Sequence, residues 1–242
     1  MVIIPAIDLR GGRCVRLRQG RKQEAKVYDE DPVAVARNFA SEGAEILHIV
    51  DLDAAFSEDN SQNRQLLDQL IKAIEVPVQL GGGLRTWEDI EHVRQLGVAR
   101  VVIGTIAAES PGRLAEMLER FGSKIVIVGI DAREGKVATR GWEAQSDIEA
   151  LELARRVRAA GVERVVYTDI GRDGMLSGPD VEQTAMIARE TGLKVTASGG
   201  ISSLEDLEKI RVVSNDGVDS VIIGKAFYEG RFTLSAALAL EE

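Results

Sequence analysis

The chain has 242 residues, 45 % apolar and 4 % aromatic, with 24 glycines and a formal charge of −9 at pH 7. That length suits one large α/β domain or two small ones, and the acidity argues against a nucleic-acid partner held by net positive charge. A single cysteine, Cys14, excludes an internal disulfide.

The opening MVIIPAIDLR is too short an apolar run for a secretory or membrane-spanning segment, and Pro5 and Asp8 interrupt it. A cytoplasmic protein with no membrane partner is therefore expected. Residues 2–8 read as a buried strand, followed by a segment crowded with Arg10, Arg13, Arg16, Arg18 and Arg21. That segment reads as a loop, either closing over an anionic ligand or simply solvated. PVAVARNFASEG (32–43) has helical period, with Pro32 placed for a first helical turn. The same alternation then repeats. Nearly continuous apolar runs at 46–51, 77–80, 100–103, 125–131, 164–169, 194–197 and 220–223 are the pattern of strands buried on both faces. Between them lie amphipathic stretches at 63–74, 111–122, 148–161 and 181–192, several closing on glycine. Eight such units predict a (β/α)8 barrel, which averages about 250 residues. The rival, an open doubly wound sheet, would carry a G-x-G-x-x-G turn after its first strand; LRGGRCVRL lacks that spacing.

The chain also repeats itself. LGGGLRTWEDI (80–90) matches ASGGISSLEDL (197–207), and the match extends over 76–107 and 193–227. Asp8 of the first run aligns with Asp131 of the fifth, so residues 1–122 and 123–242 read as two copies of a half-barrel within one domain. Phosphate in such barrels sits on backbone N–H groups after strands seven and eight. Ser198, Gly199 and Gly200 with Gly224 and Lys225 fit that place, and Gly82 and Gly83 with Gly104 and Thr105 fit its twin. Two cradles predict a ligand with two phosphates. Glycine after a strand also serves plain turning. Thr86 and Ser203 read as N-caps with Asp89 and Asp206 at capping-box spacing, so an anion must sit on the loops and not on those helices.

Catalytic groups of barrels lie at the C-terminal strand ends. Asp8 and Asp131 fall there, opposed, between the proposed cradles, and two such acids can divide base and acid roles. Asp51, Asp53, Asp169 and Asp173 lie at strand ends too; Asp173 in GRDG is the best third candidate, with a turn role as its alternative. Arg85 is placed to clamp a phosphate, and Trp142 either stacks on a heterocycle or packs. His48 reads as a core or supporting residue and His92 as surface, so no metal site is expected.

Together, IIPAIDLRGGRCVRLRQG, HIVDLDAA, LGGGLRT, GIDAREGKVATRGW, YTDIGRDGMLSGP and ASGGISSLEDL closely resemble the sugar isomerase family of histidine biosynthesis, over essentially the whole chain. That resemblance implies conversion of phosphoribosylformimino-AICAR phosphate (ProFAR) to its phosphoribulosyl form (PRFAR) by an Amadori rearrangement without cofactor or metal. By motif, Asp8 corresponds to a general base, Asp131 to the acid that opens the ribose, Thr168 and Asp173 to a supporting pair, and Arg16 and Arg85 to substrate contacts. A monomer acting on one bisphosphorylated small molecule is expected. Two alternatives stay open: a dual-specificity isomerase that also takes phosphoribosylanthranilate, and the sister cyclase of imidazole glycerol phosphate synthesis. PAIDL and TRGW favour the isomerase over the cyclase.

Overall fold

The structure is a computed structural model that describes residues 1–29 and 31–240, with the side chain of Arg18 outside the described set. Its strands, in chain order, are β1 (Val2–Arg10), β2 (Arg13–Arg18), β3 (Arg21–Asp29), β4 (Leu47–Asp51), β5 (Val78–Gly81) and β6 (Arg100–Ile103), then β7 (Val126–Arg133), β8 (Lys136–Thr139), β9 (Ala144–Glu149), β10 (Arg164–Asp169), β11 (Lys194–Ser198) and β12 (Val218–Ile223). Eight of them, β1, β4, β5, β6, β7, β10, β11 and β12, pair in that order, all parallel, and β12 returns to β1. The barrel is closed, and each apolar run read from the sequence is one of its strands.

Helices cover the barrel from outside, among them Pro32–Ser41, Ser61–Ala73, Pro111–Phe121, Ala150–Ala159 and Val181–Thr191. Local chemistry sets their ends. Asp31 accepts from the N–H groups of Val33 and Ala34, and Gly192 closes Val181–Thr191 at φ +65°. The period-two alternation of a strand divides the core. In β1, Ile3, Ile7 and Leu9 join the large layer between strands and helices, while Ile4 and Ala6 join a small plug inside the barrel with Ile46, Ile127, Val166 and Ile222. At the N-terminal end Arg164 grips Asp219 with both guanidinium arms and also donates to Ser220, leaving the other end for the site. No helix among the described residues is long and apolar enough to cross a membrane.

One expectation needs correction. The arginine-rich segment after β1 is not a loop but an antiparallel hairpin, β2 with β3, extending from β1 itself. Cys14, Val15 and Leu17 are buried in it, and the flanking arginines hide that pattern in the sequence. Gly11 and Gly12, both at positive φ, make its two-residue root turn. β7 repeats the device: Glu134 and Gly135 turn at positive φ into β8 and β9.

Candidate active site

The inward positions of the barrel strands continue upward from the plug. Ala6 leads to Asp8, Gly129 to Asp131, Val166 to Thr168, Val102 to Gly104 and Ile222 to Gly224, and all of these line one cavity of about 250 Å³ at the C-terminal mouth. Asp8 and Asp131 therefore share one chamber, as do Asp173, Arg16, Arg85, Trp142 and every glycine of both proposed cradles.

Asp8 meets a cation. Arg16, folded inward from β2, places Nη1 2.9 Å from Asp8 Oδ2, and their side chains are only 12 % and 16 % exposed. Burial pushes the Asp8 carboxyl up, and the guanidinium pulls against that shift. Arg16 also donates through Nη2 to the Ala6 carbonyl, and its Nε is buried without a partner. Asp131 has neutral hydrogen-bond donors in place of a cation among the described residues. Burial raises its carboxyl, opposed by hydrogen bonds from Trp142 and from Thr168, its register neighbour on β10. Trp142 belongs to the β8–β9 turn, where Arg140, Gly141 and Trp142 all take positive φ. Such backbone strain in non-glycine residues persists only where surrounding structure imposes it. Here the Trp142 ring packs on Gly20 at the tip of the first hairpin, with no room for a Cβ. Asp173 lies in the turn after β10, which Gln19 ties to that same tip through its N–H to the Asp173 carbonyl, 3.3 Å. Burial, and then repulsion from Asp8 and Asp131, push Asp173 up to about 7. Asp173 is thus close enough to sense both of the other carboxyls.

The glycine clusters are alike in detail. Gly82 and Gly199 both take positive φ, and a Cβ on either would run into the carbonyl of the aspartate closing the preceding strand, Asp51 or Asp169. Gly83 and Gly200 are equally hemmed in, by Ala54 and Gly178. Packing alone demands these four glycines. Gly104 differs: its φ is −107°, and a Cβ would rest 3.5 Å from the Gly129 carbonyl, an ordinary contact. The fold does not require glycine there. Gly104 and Gly224 begin the short helices Thr105–Glu109 and Lys225–Tyr228, neither with a side-chain cap. The longer helices are different. Thr86 and Asp89 form the expected capping box, whereas Asp206 turns its carboxylate to Ser202, and Ser203 accepts from the Asp206 N–H.

Several side chains are engaged elsewhere. Arg85 reaches the Ala55 carbonyl (3.1 Å) and the Ser57 hydroxyl (3.0 Å) at the cavity rim. The Thr105 hydroxyl accepts from the Arg140 N–H, and Lys225 Nζ donates to the Gly174 carbonyl at 2.7 Å. Of the arginine cluster, Arg16 lines the cavity while Arg10 and Arg21 pair with Glu58 and Glu24 on its outside. Asp51 caps the helix Leu52–Ala55 and accepts from Asn60 and Asn63, and Asp53 accepts from the Gly11 N–H, so both are structural. His48 is on the cavity floor, its Nδ1 3.0 Å from the Gln79 amide, and burial pushes it down to about 3, which keeps it neutral. Sequence reasoning missed Gln79 as its partner and missed Arg140 in the cavity wall. The alternation QLG (79–81), polar inward on a short strand, was the available signal for Gln79.

A profile of the family described as "Histidine biosynthesis protein" matches residues 2–233. A protein of Moorella thermoacetica, named 1-(5-phosphoribosyl)-5-((5-phosphoribosylamino)methylideneamino)imidazole-4-carboxamide isomerase, is 49 % identical over 240 residues, covering 99 % of this chain and 98 % of its own. Isomerases of the same name from Heliobacterium modesticaldum (46 % over 238 residues, 98 % and 96 % covered) and Lachnoclostridium phytofermentans (46 % over 242 residues, both chains covered in full) are similar to it as well. The chain is a (β/α)8 barrel that belongs to the histidine biosynthesis protein family.

Proposed function

We propose that this chain isomerises the bisphosphorylated aminoaldose ProFAR to the aminoketose PRFAR, an Amadori rearrangement in histidine biosynthesis. The observation that carries this reading is the pairing, in one cavity, of an Asp8 carboxylate held by a cation with an Asp131 carboxyl held by neutral donors. That asymmetry suits one base and one acid on either side of a sugar.

The steps follow from it. Asp131 gives its proton to the ribose ring oxygen, the ring opens, and the C1′–N bond becomes a protonated Schiff base. The C2′ hydrogen is now acidic. Asp8, ion-paired to Arg16, takes it, and the resulting enolamine tautomerises to the C2′ ketone with a proton returned at C1′. Each proton transfer contributes perhaps ~10²–10⁴-fold. Thr168 and Asp173 support the acid: Thr168 holds the Asp131 carboxyl in place, and Asp173 titrates near neutrality, able to pass a proton along. One phosphate lies on Gly82, Gly83, Gly104 and Thr105 with Arg85 at the rim, the other on Ser198, Gly199, Gly200 and Gly224 with Lys225. Trp142 stacks on the imidazole carboxamide. Gripping both ends sets C1′ and C2′ between the carboxylates, where remote binding energy serves the chemistry. The half-barrel duplication accounts for two grips facing each other in one monomer.

The full chain, incubated with the aminoaldose and EDTA, is expected to form the aminoketose at the rate seen without chelator. No turnover, or turnover that EDTA abolishes, overturns the reading. Phosphoribosylanthranilate assayed in parallel separates a single-substrate isomerase from a dual-specificity one.

A further inference from the structure

Arg16 occupies an unusual seat. Its guanidinium lies against Asp8 on one side and on the face of Gly224 on another, where a Cβ would collide with Cζ. Hydrogen bonds do not saturate it: Nη1 has Asp8, Nη2 has the Ala6 carbonyl, and the buried Nε has nothing. With Nε unpaired, that edge of the guanidinium is held by packing and not by a hydrogen bond. The remaining contact is a ring. Arg16 Cζ stands 5.1 Å from the centroid of Tyr228, within the reach of a cation–π interaction, which is stronger when desolvated. Tyr228 itself is braced from behind by Tyr28 (5.2 Å between centroids) and by Phe39 edge-on (6.2 Å), and its hydroxyl donates to the same Ala6 carbonyl that Arg16 uses, at 3.3 Å. It closes the short helix that begins at Gly224.

We infer that Tyr228 is a positioning residue for the reaction, the platform that holds the Arg16 guanidinium between Asp8 and the Gly224 end of the second cradle. This rests on the proposed role of Asp8 as base. Tyr228 touches neither the cavity nor the reacting atoms; it acts through Arg16. Its effect is to keep a positive charge beside Asp8 in a neighbourhood otherwise populated by Asp173, the Cys14 thiol and neutral His48, with Lys225 the other cation near Asp173.

The test compares Tyr228→Phe with Tyr228→Leu. Phe keeps the ring and is expected to stay within about 3-fold of wild type, whereas Leu is expected to lose roughly 10-fold or more in kcat/KM. In the Leu variant the acid limb of the kcat/KM profile should move to higher pH, because Asp8 loses its close cation and its carboxyl rises. Combined with Arg16→Gln, Tyr228→Leu should add almost nothing further. A Leu variant with an unmoved acid limb, or losses that add to those of Arg16→Gln, overturns the inference. Should the Leu variant fail to fold, wild type still decides: the Arg16 side-chain proton resonances should be shifted upfield by the Tyr228 ring current, and unshifted resonances refute the platform. That NMR reading needs no turnover, so it also separates failure of this inference from failure of the proposed activity.

Discussion

At the end of β1 a carboxylate meets a guanidinium; at the end of β7 its counterpart meets an indole and a hydroxyl. The backbones around them follow one plan. Each strand carries its aspartate inward, then turns through two residues of positive φ into a hairpin that leans over the mouth. The anchoring differs as the electrostatics do. The first hairpin is rooted in a buried polar network: Asn63 donates to the Leu9 carbonyl and to Asp51 and accepts from the Gly12 N–H, while Asp53 takes the Gly11 N–H. The second is joined by a backbone bond from Ala150 to Gly135 and by Gln145 to the Arg133 carbonyl. The second hairpin is also tied to the helix Thr105–Glu109, where Thr139 and Arg140 donate to Glu109 and the Arg140 N–H donates to Thr105, so both sides are anchored by polar contacts.

Removing each carboxylate in turn probes this division hardest. Asp8→Asn leaves a neutral group that cannot accept the C2′ proton and strands Arg16, so kcat is expected to fall by about 10³–10⁴-fold with substrate still bound. Asp131→Asn is expected to fall by less, roughly 10²–10³-fold, because Asp173 titrates in the neutral range and remains nearby as a proton source. Equal losses, or a larger one at Asp131, would remove Asp173 as a reserve proton source.

The cradles offer a second, smaller contrast. Gly83→Ala forces a methyl into the Ala54 backbone at positive φ and should unfold or badly destabilise the chain. Gly104→Ala fits without strain, so melting is expected to stay near wild type while KM rises by about 10-fold or more, the methyl standing where a phosphate would approach. A Gly104→Ala protein with unchanged KM would remove the first cradle from the proposal.

How much of this could be read from residues alone depends on whether the signal was periodic. Eight buried runs and their alternation suffice to place Asp8, Asp131, Thr168 and the strand-end glycines on one rim, since period two carries the inward face from Ala6 to Asp8 and from Gly129 to Asp131. The hairpins escaped because arginines interrupt the apolar positions of β2, although Gly11-Gly12 and Glu134-Gly135 stand at equivalent places in the repeat and have the residues of tight two-residue turns. Without the hairpin, nothing could point Arg16 inward and Arg10 outward. Trp142 and Asp173 sit in turns whose course is set by contacts with the first hairpin tip, a tertiary fact with no local pattern. Tyr228 was unreadable for a similar reason, being the last residue of a four-residue helix whose meaning comes from Arg16, over two hundred positions away.

Asp173 makes the finest test, because both sides of the mouth act on it. Its carboxyl is raised from 3.8 to about 7, first by burial and then by Asp8 and Asp131. The folded protein therefore holds a proton there that the unfolded chain releases near pH 4. Stability from this group is fully present below about pH 4 and is lost progressively as pH rises to about 7, above which folding must tolerate a third charge in the cluster. Asp173→Asn cannot ionise. Its melting temperature should match wild type closely below about pH 4, draw ahead as pH rises from about 4 to 7 and stay a few degrees higher at pH 8, while turnover falls. His48 drives stability the other way below its ordinary 6.5, but it is common to both proteins and cancels in the difference. A gap that stays constant from pH 4 to 8 would mean that Asp173 is not held protonated in the folded chain, neither by burial nor by the carboxylates of β1 and β7.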